Sequence, residues 1–539
     1  MKHIKKLASL LLVLVMVFAL ATTAFAEETT YSITINNSTA GHTYEAYQIF
    51  TGDLAEKDGA KILSNIVWGS GISEAGRTAL QNKYDTAETK SAAGVAAALT
   101  NDNAVQFAKD AAGYLTTTKV DSTYSETNKN YTISGLAAGY YLVKDKDGSL
   151  TGDSDSYTEY IIQVVGNVTA TPKSDVPEVQ KKVKDINDST DTTKTDWQDS
   201  ADYDIGDSIP FQLKATLANN VSSYTTYKVV FHDTLSKGLT LNATYGEGQN
   251  ANVVTSGVTV KVGDADKTAN FVITAVKNAD GTTTLTVSCA DVKALGAGNS
   301  SVITVEYTAK LNENAVLGSA GNPNKVYLEY SNNPNKSESG ENHETGKTPE
   351  DTVIVFTYQT IINKVDSENK PLTGAAFKLE KLIKGKDGAA DTWTTVKEFT
   401  VDEATTSFTF SGLDDGQYKL TETKTPAGYN TIDPIYFVIE ATHDETADAP
   451  TLKTLNAYLT DANGNKQTEM KDGESVNIDL GTVDLTAGSI TTTVVNKSGS
   501  ELPSTGGIGT TIFYVLGGVL VLAAVVLLVT KKRMSGAEK

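Results

Sequence analysis

Ser301-Val302-Ile303-Thr304-Val305-Glu306-Tyr307 alternates branched or aromatic residues with polar ones, the two-residue period of a strand that buries one face. The same rhythm recurs in Tyr31-Ser32-Ile33-Thr34-Ile35 and in Ser407-Phe408-Thr409-Phe410. Thr, Val, Ile and Tyr fill these short runs, and Gly, Asn and Asp break them. Such a pattern predicts a mainly β chain of tandem immunoglobulin-like β-sandwich domains. Residues 73–115 depart from it. They are Ala-rich, and Ala104, Phe107, Ala108 and Ala111 fall at helical spacing, so the first domain is expected to carry inserted helices.

The two ends have a different character. Residues 1–26 combine Lys2, Lys5 and Lys6, an apolar stretch and Ala24-Phe25-Ala26, the pattern of a secretory signal peptide cut before Glu27. Near the other end, the apolar residues 512–530 are about long enough to span a bilayer as a helix. Lys531, Lys532 and Arg533 follow and would keep the extreme C-terminus in the cytoplasm. Both ends together hold seven basic residues and one acidic one. The remaining 39 basic and 65 acidic residues give the exported part a net charge of −26. That balance offers no basic stripe for nucleic acid. Cys289 is the single cysteine, so no intramolecular disulfide can form; in Leu285-Thr286-Val287-Ser288-Cys289 it reads as a buried apolar filler.

An internal repeat divides the exported part. Ser134-Gly135-Leu136-Ala137-Ala138-Gly139-Tyr140-Tyr141-Leu142-Val143-Lys144-Asp145 aligns without gaps on Ser411-Gly412-Leu413-Asp414-Asp415-Gly416-Gln417-Tyr418-Lys419-Leu420-Thr421-Glu422. With the linkers rich in Pro, Ser or Asn, this predicts an N-terminal domain (27–171), a linker (172–177), a middle domain (178–350), a C-terminal domain (351–498) and a tail (499–539).

Leu502-Pro503-Ser504-Thr505-Gly506, placed ahead of the apolar run and basic stop, resembles the LPxTG sorting signal of Gram-positive surface proteins. That resemblance implies that a sortase cuts between Thr505 and Gly506 and passes the Thr505 acyl group to an amine. Ile361-Ile362-Asn363-Lys364, Gly374-Ala375-Ala376-Phe377, Tyr418-Lys419-Leu420-Thr421-Glu422 and Val494-Val495-Asn496, in that order, resemble a collagen-adhesin B-type domain. The resemblance implies an intramolecular isopeptide bond between Lys364 and Asn496, assisted by Glu422. The residues suit that chemistry. Ile362 and Lys364 share a strand face, as do Val494 and Asn496. Burial lowers the pKa of an amine and raises that of a carboxyl. A neutral amine can then attack the amide while the acid moves protons, once per molecule.

Val179-Gln180-Lys181-Lys182-Val183, Val229-Val230-Phe231-His232-Asp233 and Asn322-Pro323-Asn324-Lys325-Val326 resemble the A-type middle domain of sortase-assembled pilins. The implied bond joins Lys181 to Asn324 with Asp233 as helper. Lys182, Asn322 and Asn332 are the register alternatives. In the N-terminal domain the repeat puts Asp145 where Glu422 stands, but Tyr31 to Asn37 contains no Lys, so this domain is expected to lack the bond. Its Gly41-His42-Thr43-Tyr44-Glu45-Ala46-Tyr47-Gln48-Ile49-Phe50 resembles the N-terminal domain of shaft pilins. Pro172-Lys173 partly matches the pilin motif of shaft pilins, with Thr171 in place of its Tyr.

The chain thus resembles the backbone subunit of a sortase-assembled Gram-positive pilus, with collagen-adhesin A- and B-type domains. The resemblance implies a covalent homopolymer in which Thr505 joins Lys173 of the next subunit. Sortase, ancillary pilins and peptidoglycan are the implied partners, and the wall and pilus the location. A monomeric wall-anchored adhesin, or an ancillary tip or base pilin, is the alternative. No cofactor, metal site or enzymatic turnover is expected. The histidines show no ligand spacing, and the acidic stretch 185–196 lacks the turn glycine of a calcium-binding helix-loop-helix loop and reads as solvated.

Overall fold

The computed structural model describes residues 30–499, except 58, 151–154, 173–174, 191–195, 337–343, 387 and 403. The expected signal peptide, Lys173, the motif Leu502 to Gly506 with Thr505, and the apolar run lie outside the described residues. Among the described residues, no helix is long and apolar enough to cross a membrane.

Strands dominate, and the opening stretch explains why. In the strand Val302–Leu311, Ile303, Val305, Tyr307, Ala309 and Leu311 are buried and the residues between them are not. It pairs with Ser208–Thr216 on one side and Val258–Val262 on the other, at the centre of one sheet of the middle domain. The facing sheet runs Ser200–Asp202, Asp351–Phe356, Asn322–Ser331, Val229–Leu235, Thr283–Cys289, Val272–Lys277. The apolar faces of the two sheets close one core, in which Cys289 is buried as expected.

Strand Asp351–Phe356 corrects the expected boundary at 350. It pairs with Asn322–Ser331 and Ser200–Asp202, and Val353 and Val355 belong to the middle core. Thr357 alone separates it from Tyr358–Val365, the first strand of the C-terminal domain. The boundary is therefore a change of sheet along nearly continuous extended chain, which leaves no polar linker to read.

The N- and C-terminal domains share a plan. In each, the first strand runs parallel to the last: Tyr31–Ile35 beside Val168–Ala170, and Tyr358–Val365 beside Ser489–Val495. In the N-terminal domain, helices Glu74–Tyr84, Ala92–Ala98 and Ala104–Ala112 interrupt the sandwich, as the Ala-rich stretch predicts. Phe107, Ala108 and Ala111 pack on Phe50, Tyr140 and Leu142 on the outer face of the five-stranded sheet. Tyr141 and Val143, of opposite parity, fill the sandwich core. Strand Gly139–Asp145 is consequently buried on both faces, which is why it reads as a continuous rather than alternating apolar run.

Candidate functional sites: buried lysine, carboxyl and asparagine clusters

In the middle domain, strand Glu178–Lys184 turns Lys181 and Val183 inward. Lys182 faces the other way and pairs with Asp199. Asp233 and Asn324 lie on adjacent antiparallel strands of the opposite sheet, with Leu235 opposite Asn324 and Val326 opposite Asp233. Lys181 thus reaches across from one sheet to the other. Lys181, Asp233 and Asn324 are each 0% exposed.

The Lys181 Nζ donates to Asp233 Oδ1 and contacts the Tyr307 hydroxyl at 3.1 Å. Tyr307 donates in turn to Asp233 Oδ2 and accepts from Asn324 Nδ2 at 2.8 Å. The amine also lies 5.5 Å from the ring centroids of Phe211 and Tyr307. Burial lowers the Lys181 pKa against the opposing charge of Asp233. Burial likewise raises the Asp233 carboxyl, against Lys181 and Tyr307. Both directions favour a neutral amine beside a neutral acid. The Asn324 Oδ1 is buried with no hydrogen-bond partner among the described residues. Two register alternatives are otherwise engaged: Lys182 pairs with Asp199, and the Asn322 amide bonds the backbone of Val316 and Val355. Asn332 also buries an unpartnered Oδ1 among the described residues, but it lies beyond the end of the strand Asn322–Ser331 and away from the Lys181, Asp233 and Tyr307 contacts that hold Asn324.

In the C-terminal domain the lysine and asparagine come from one sheet and the carboxyl from the sheet that faces it. Lys364 stands opposite Val494 across the parallel first and last strands, and the Asn496 N–H donates to Val365 O at 3.1 Å. Lys364 and Asn496 are 0% exposed and Glu422 is 5% exposed. The Lys364 Nζ donates to the carbonyls of Val365 and Val494, both at 3.0 Å. Asn496 Nδ2 reaches Glu422 Oε1 at 3.0 Å, Oε2 at 3.1 Å and Asn430 O at 2.9 Å. Its Oδ1 is buried without a partner among the described residues. Burial lowers the Lys364 pKa, with Glu422 and Asp366 opposing.

The N-terminal domain differs at the matching place. Ile362 pairs with Phe408 and Ile35 with Tyr131, positions that the repeat aligns. Asn37 therefore occupies the Lys364 position, and its amide donates to the Tyr44 hydroxyl at 2.8 Å. Asp145, 0% exposed, accepts from Thr158 N and Oγ1 and pairs with His42 Nδ1 at 2.7 Å. His42 Nε2 faces Asp155 at 3.0 Å. Burial opposes the imidazolium, but hydrogen bonds and charge from Asp145 and Asp155 outweigh it and hold the pKa up to about 9.

Sequence reasoning missed Tyr307 and His42. Tyr307 had a signal: a tyrosine at a buried parity position needs a partner for its hydroxyl. His42 had none, because it lies outside a strand and reaches Asp145 through a turn. The acidic stretch is also corrected where it is described. Ser189 is buried, its Oγ donates to Leu382 O at 2.7 Å, and Asp188 O accepts from Lys384 N at 2.8 Å, so this part docks on the C-terminal domain rather than facing solvent.

Three family models match the chain. They are the prealbumin-like fold domain SpaA over residues 359–454, the Gram-positive pilin backbone subunit 2, Cna-B-like domain over 205–334, and the LPXTG cell wall anchor motif over 494–535. The trypsin-resistant surface T6 protein of Streptococcus pyogenes serotype M6 is 25% identical, over 95% of this chain and 96% of its own length. The solved T6 backbone pilin of serotype M6 Streptococcus pyogenes superposes with a TM-score of 0.52 at 19% identity, covering 88% of this chain and 100% of that one. The full-length major pilin SpaD of Corynebacterium diphtheriae gives 0.45 at 18% identity, covering 88% and 99%. Together with the paired sandwiches, the family models and the T6 relative define a cell-wall-anchored structural protein of a Gram-positive surface. The family models and the T6 relative support a backbone pilin, a structural subunit of a sortase-assembled pilus.

Proposed function

We propose that this pilin is covalently closed within two of its domains and covalently joined between subunits. The observation that carries the first part is shared by both clusters: a fully buried lysine, a buried carboxyl and an asparagine whose carbonyl oxygen lacks a partner among the described residues. In the middle domain, Asp233 takes a proton from Lys181, and the neutral amine attacks Cγ of Asn324. The Asn324 carbonyl oxygen then receives a hydrogen bond from the protonated acid. The C–Nδ2 bond breaks as the acid gives its proton to the leaving nitrogen; the attacking nitrogen sheds its second proton to the released ammonia, which departs as ammonium while the amide forms. Tyr307 positions the acid and the amide by holding both. Lys364, Glu422 and Asn496 follow the same course in the C-terminal domain. Each carboxyl returns to its starting state after a single turnover.

Between subunits, a sortase thiolate attacks the Thr505 carbonyl and releases the segment that starts at Gly506. The Lys173 amine of a second copy then displaces the thiolate, giving a head-to-tail polymer. The partial Pro172-Lys173 motif and the backbone-pilin matches support this reading. Ancillary pilins and the peptidoglycan would cap and anchor the polymer.

Two measurements test these parts separately. The intact mass of the exported chain, residues 27–505, should fall short of the sequence mass by about 34 Da, two ammonia losses. An unshifted mass would sink both internal bonds. Immunoblots of wall extracts should show SDS-resistant multimers that vanish in Lys173→Ala. A ladder that survives this change would refute the acceptor, and no ladder in the wild type would point to a monomeric wall protein.

A further inference from the structure

The middle and C-terminal domains meet over a buried carboxylate group. Asp202 ends the strand Ser200–Asp202, directly beside the last strand of the middle domain. Asp414 and Asp415 form the tight turn between Ser407–Leu413 and Gly416–Lys424 in the C-terminal domain. The two domains approach closely there: a Cβ on Gly412 would stand 2.5 Å from the Ile205 side chain. Asp202, Asp414 and Asp415 each bring a carboxylate oxygen within 4.8 Å of the others. Asp202 is 2% exposed and Asp414 is 0% exposed.

The cations nearby do not complete this group. Lys381 binds Asp414 Oδ2 at 2.9 Å and Asp204 Oδ2 at 2.5 Å. His443 Nε2 lies 3.4 Å from Asp185 and 4.0 Å from Asp202 Oδ1. Asp202 Oδ2 and Asp414 Oδ1 are buried without a close hydrogen-bond partner among the described residues, and the Tyr358 hydroxyl lies beside Asp202. Asp415 accepts from the Asn187 amide. Buried carboxyls this close cannot all stay ionised unless a cation sits between them; otherwise they hold a proton.

We propose that Asp202, Asp414 and Asp415 bind a hard divalent cation, Ca²⁺, that bridges the middle and C-terminal domains. An all-oxygen carboxylate set suits such an ion, and the wall location exposes the chain to external calcium. Because one ligand comes from the middle domain and two from the C-terminal domain, binding stiffens the junction between them. The site is independent of the isopeptide clusters.

The test uses the exported chain, residues 27–505, stripped with EDTA. Calorimetric titration with CaCl2 at neutral pH should show one site with a dissociation constant on the order of 10⁻⁴ M. MgCl2 and MnCl2 titrations tell a calcium site from a general divalent one. Terbium should give luminescence sensitised by tyrosine, and calcium should quench it. Asp202→Asn and Asp414→Asn should each weaken binding at least about tenfold while keeping the folded circular dichroism spectrum. Asp188→Asn, in a neighbouring carboxylate group, should leave binding unchanged. No calcium uptake by the wild type would overturn the proposal and leave a shared proton between the carboxyls. Uptake that survives Asp202→Asn, or is lost in Asp188→Asn, would overturn the assigned ligands.

Discussion

The N- and C-terminal domains answer the same structural problem differently. Both run their first strand parallel to their last, and both bury a carboxyl at the aligned end of a central strand, Asp145 or Glu422. In the C-terminal domain that carboxyl faces Asn496, beside the buried Lys364. In the N-terminal domain Asn37 stands at the Lys364 position, and Asp145 is neutralised by His42. An imidazolium held between two aspartates can open and close; the amide proposed for the C-terminal domain could not. The contrast teaches that the carboxyl belongs to the shared plan, while the residue on the first strand decides whether it supports a bond or an ion pair. The middle domain is a third arrangement, in which Lys181 reaches Asp233 and Asn324 across the sandwich.

The comparison breaks most visibly at Glu422. Glu422→Gln keeps the volume and removes the acid, so Lys364 and Asn496 should stay unjoined. The variant should retain one ammonia, about 17 Da, while the middle-domain bond is unaffected. The proposed bond would close a loop of 132 residues. By the chain-entropy estimate used for disulfides, losing it costs about 5 kcal/mol. Calorimetry should show the C-terminal transition moving down and the N-terminal one staying in place. Trypsin should cut the C-terminal domain of the variant first. A fully bonded Glu422→Gln chain would mean that the carboxyl is dispensable, and the parallel with Asp145 would lose its meaning.

How far this was readable follows from the geometry. Lys364 and Asn496 were legible because strand parity places each beside an apolar neighbour, Ile362 and Val494, and motif order supplied the pairing. Lys181 and Asn324 were legible by the same parity, and Asp233 only through the resemblance to the A-type domain. The Tyr307 role was not, since its partners come from three separate strands. Asp202 and Asp414 are far apart in sequence and meet only because two domains dock. That docking also buries Ser189, in a stretch whose composition looks solvated. The boundary at 350 failed because Thr357 alone separates two strands that belong to different sandwiches.

A second break targets the ion pair. His42→Ala leaves Asp145 buried without its cation, although Thr158 still donates two hydrogen bonds to it. Breaking a buried pair on one side costs about 3 kcal/mol at the lower end of the usual range, and those two bonds argue for that end. The N-terminal transition should fall while the intact mass changes only by the substitution itself. If Asp145 instead closed a covalent bond, the wild-type chain would show a third ammonia loss.

The smallest effect is the dependence on pH. His42 titrates at about 9 in the folded chain, above the ordinary 6.5 of a free histidine. A raised pKa means that the folded state holds the proton more tightly. Its contribution to stability is therefore fully present below about pH 6.5 and is lost as pH rises through about 9. The groups that face the ring are Asp145, Asp155, Tyr44 and Tyr131. Burial raises both tyrosines, so they stay neutral across this window. His443 at the other junction has a raised pKa as well, so the informative quantity is the wild-type shift minus that of His42→Gln. Between pH 6 and pH 9.5 the N-terminal transition should fall by several degrees more in the wild type than in His42→Gln. The C-terminal transition, in a domain that His42 does not touch, should move equally in both. Equal movement of the N-terminal transition would show that the imidazolium adds nothing, and the two domains would differ only in lacking or having the covalent bond.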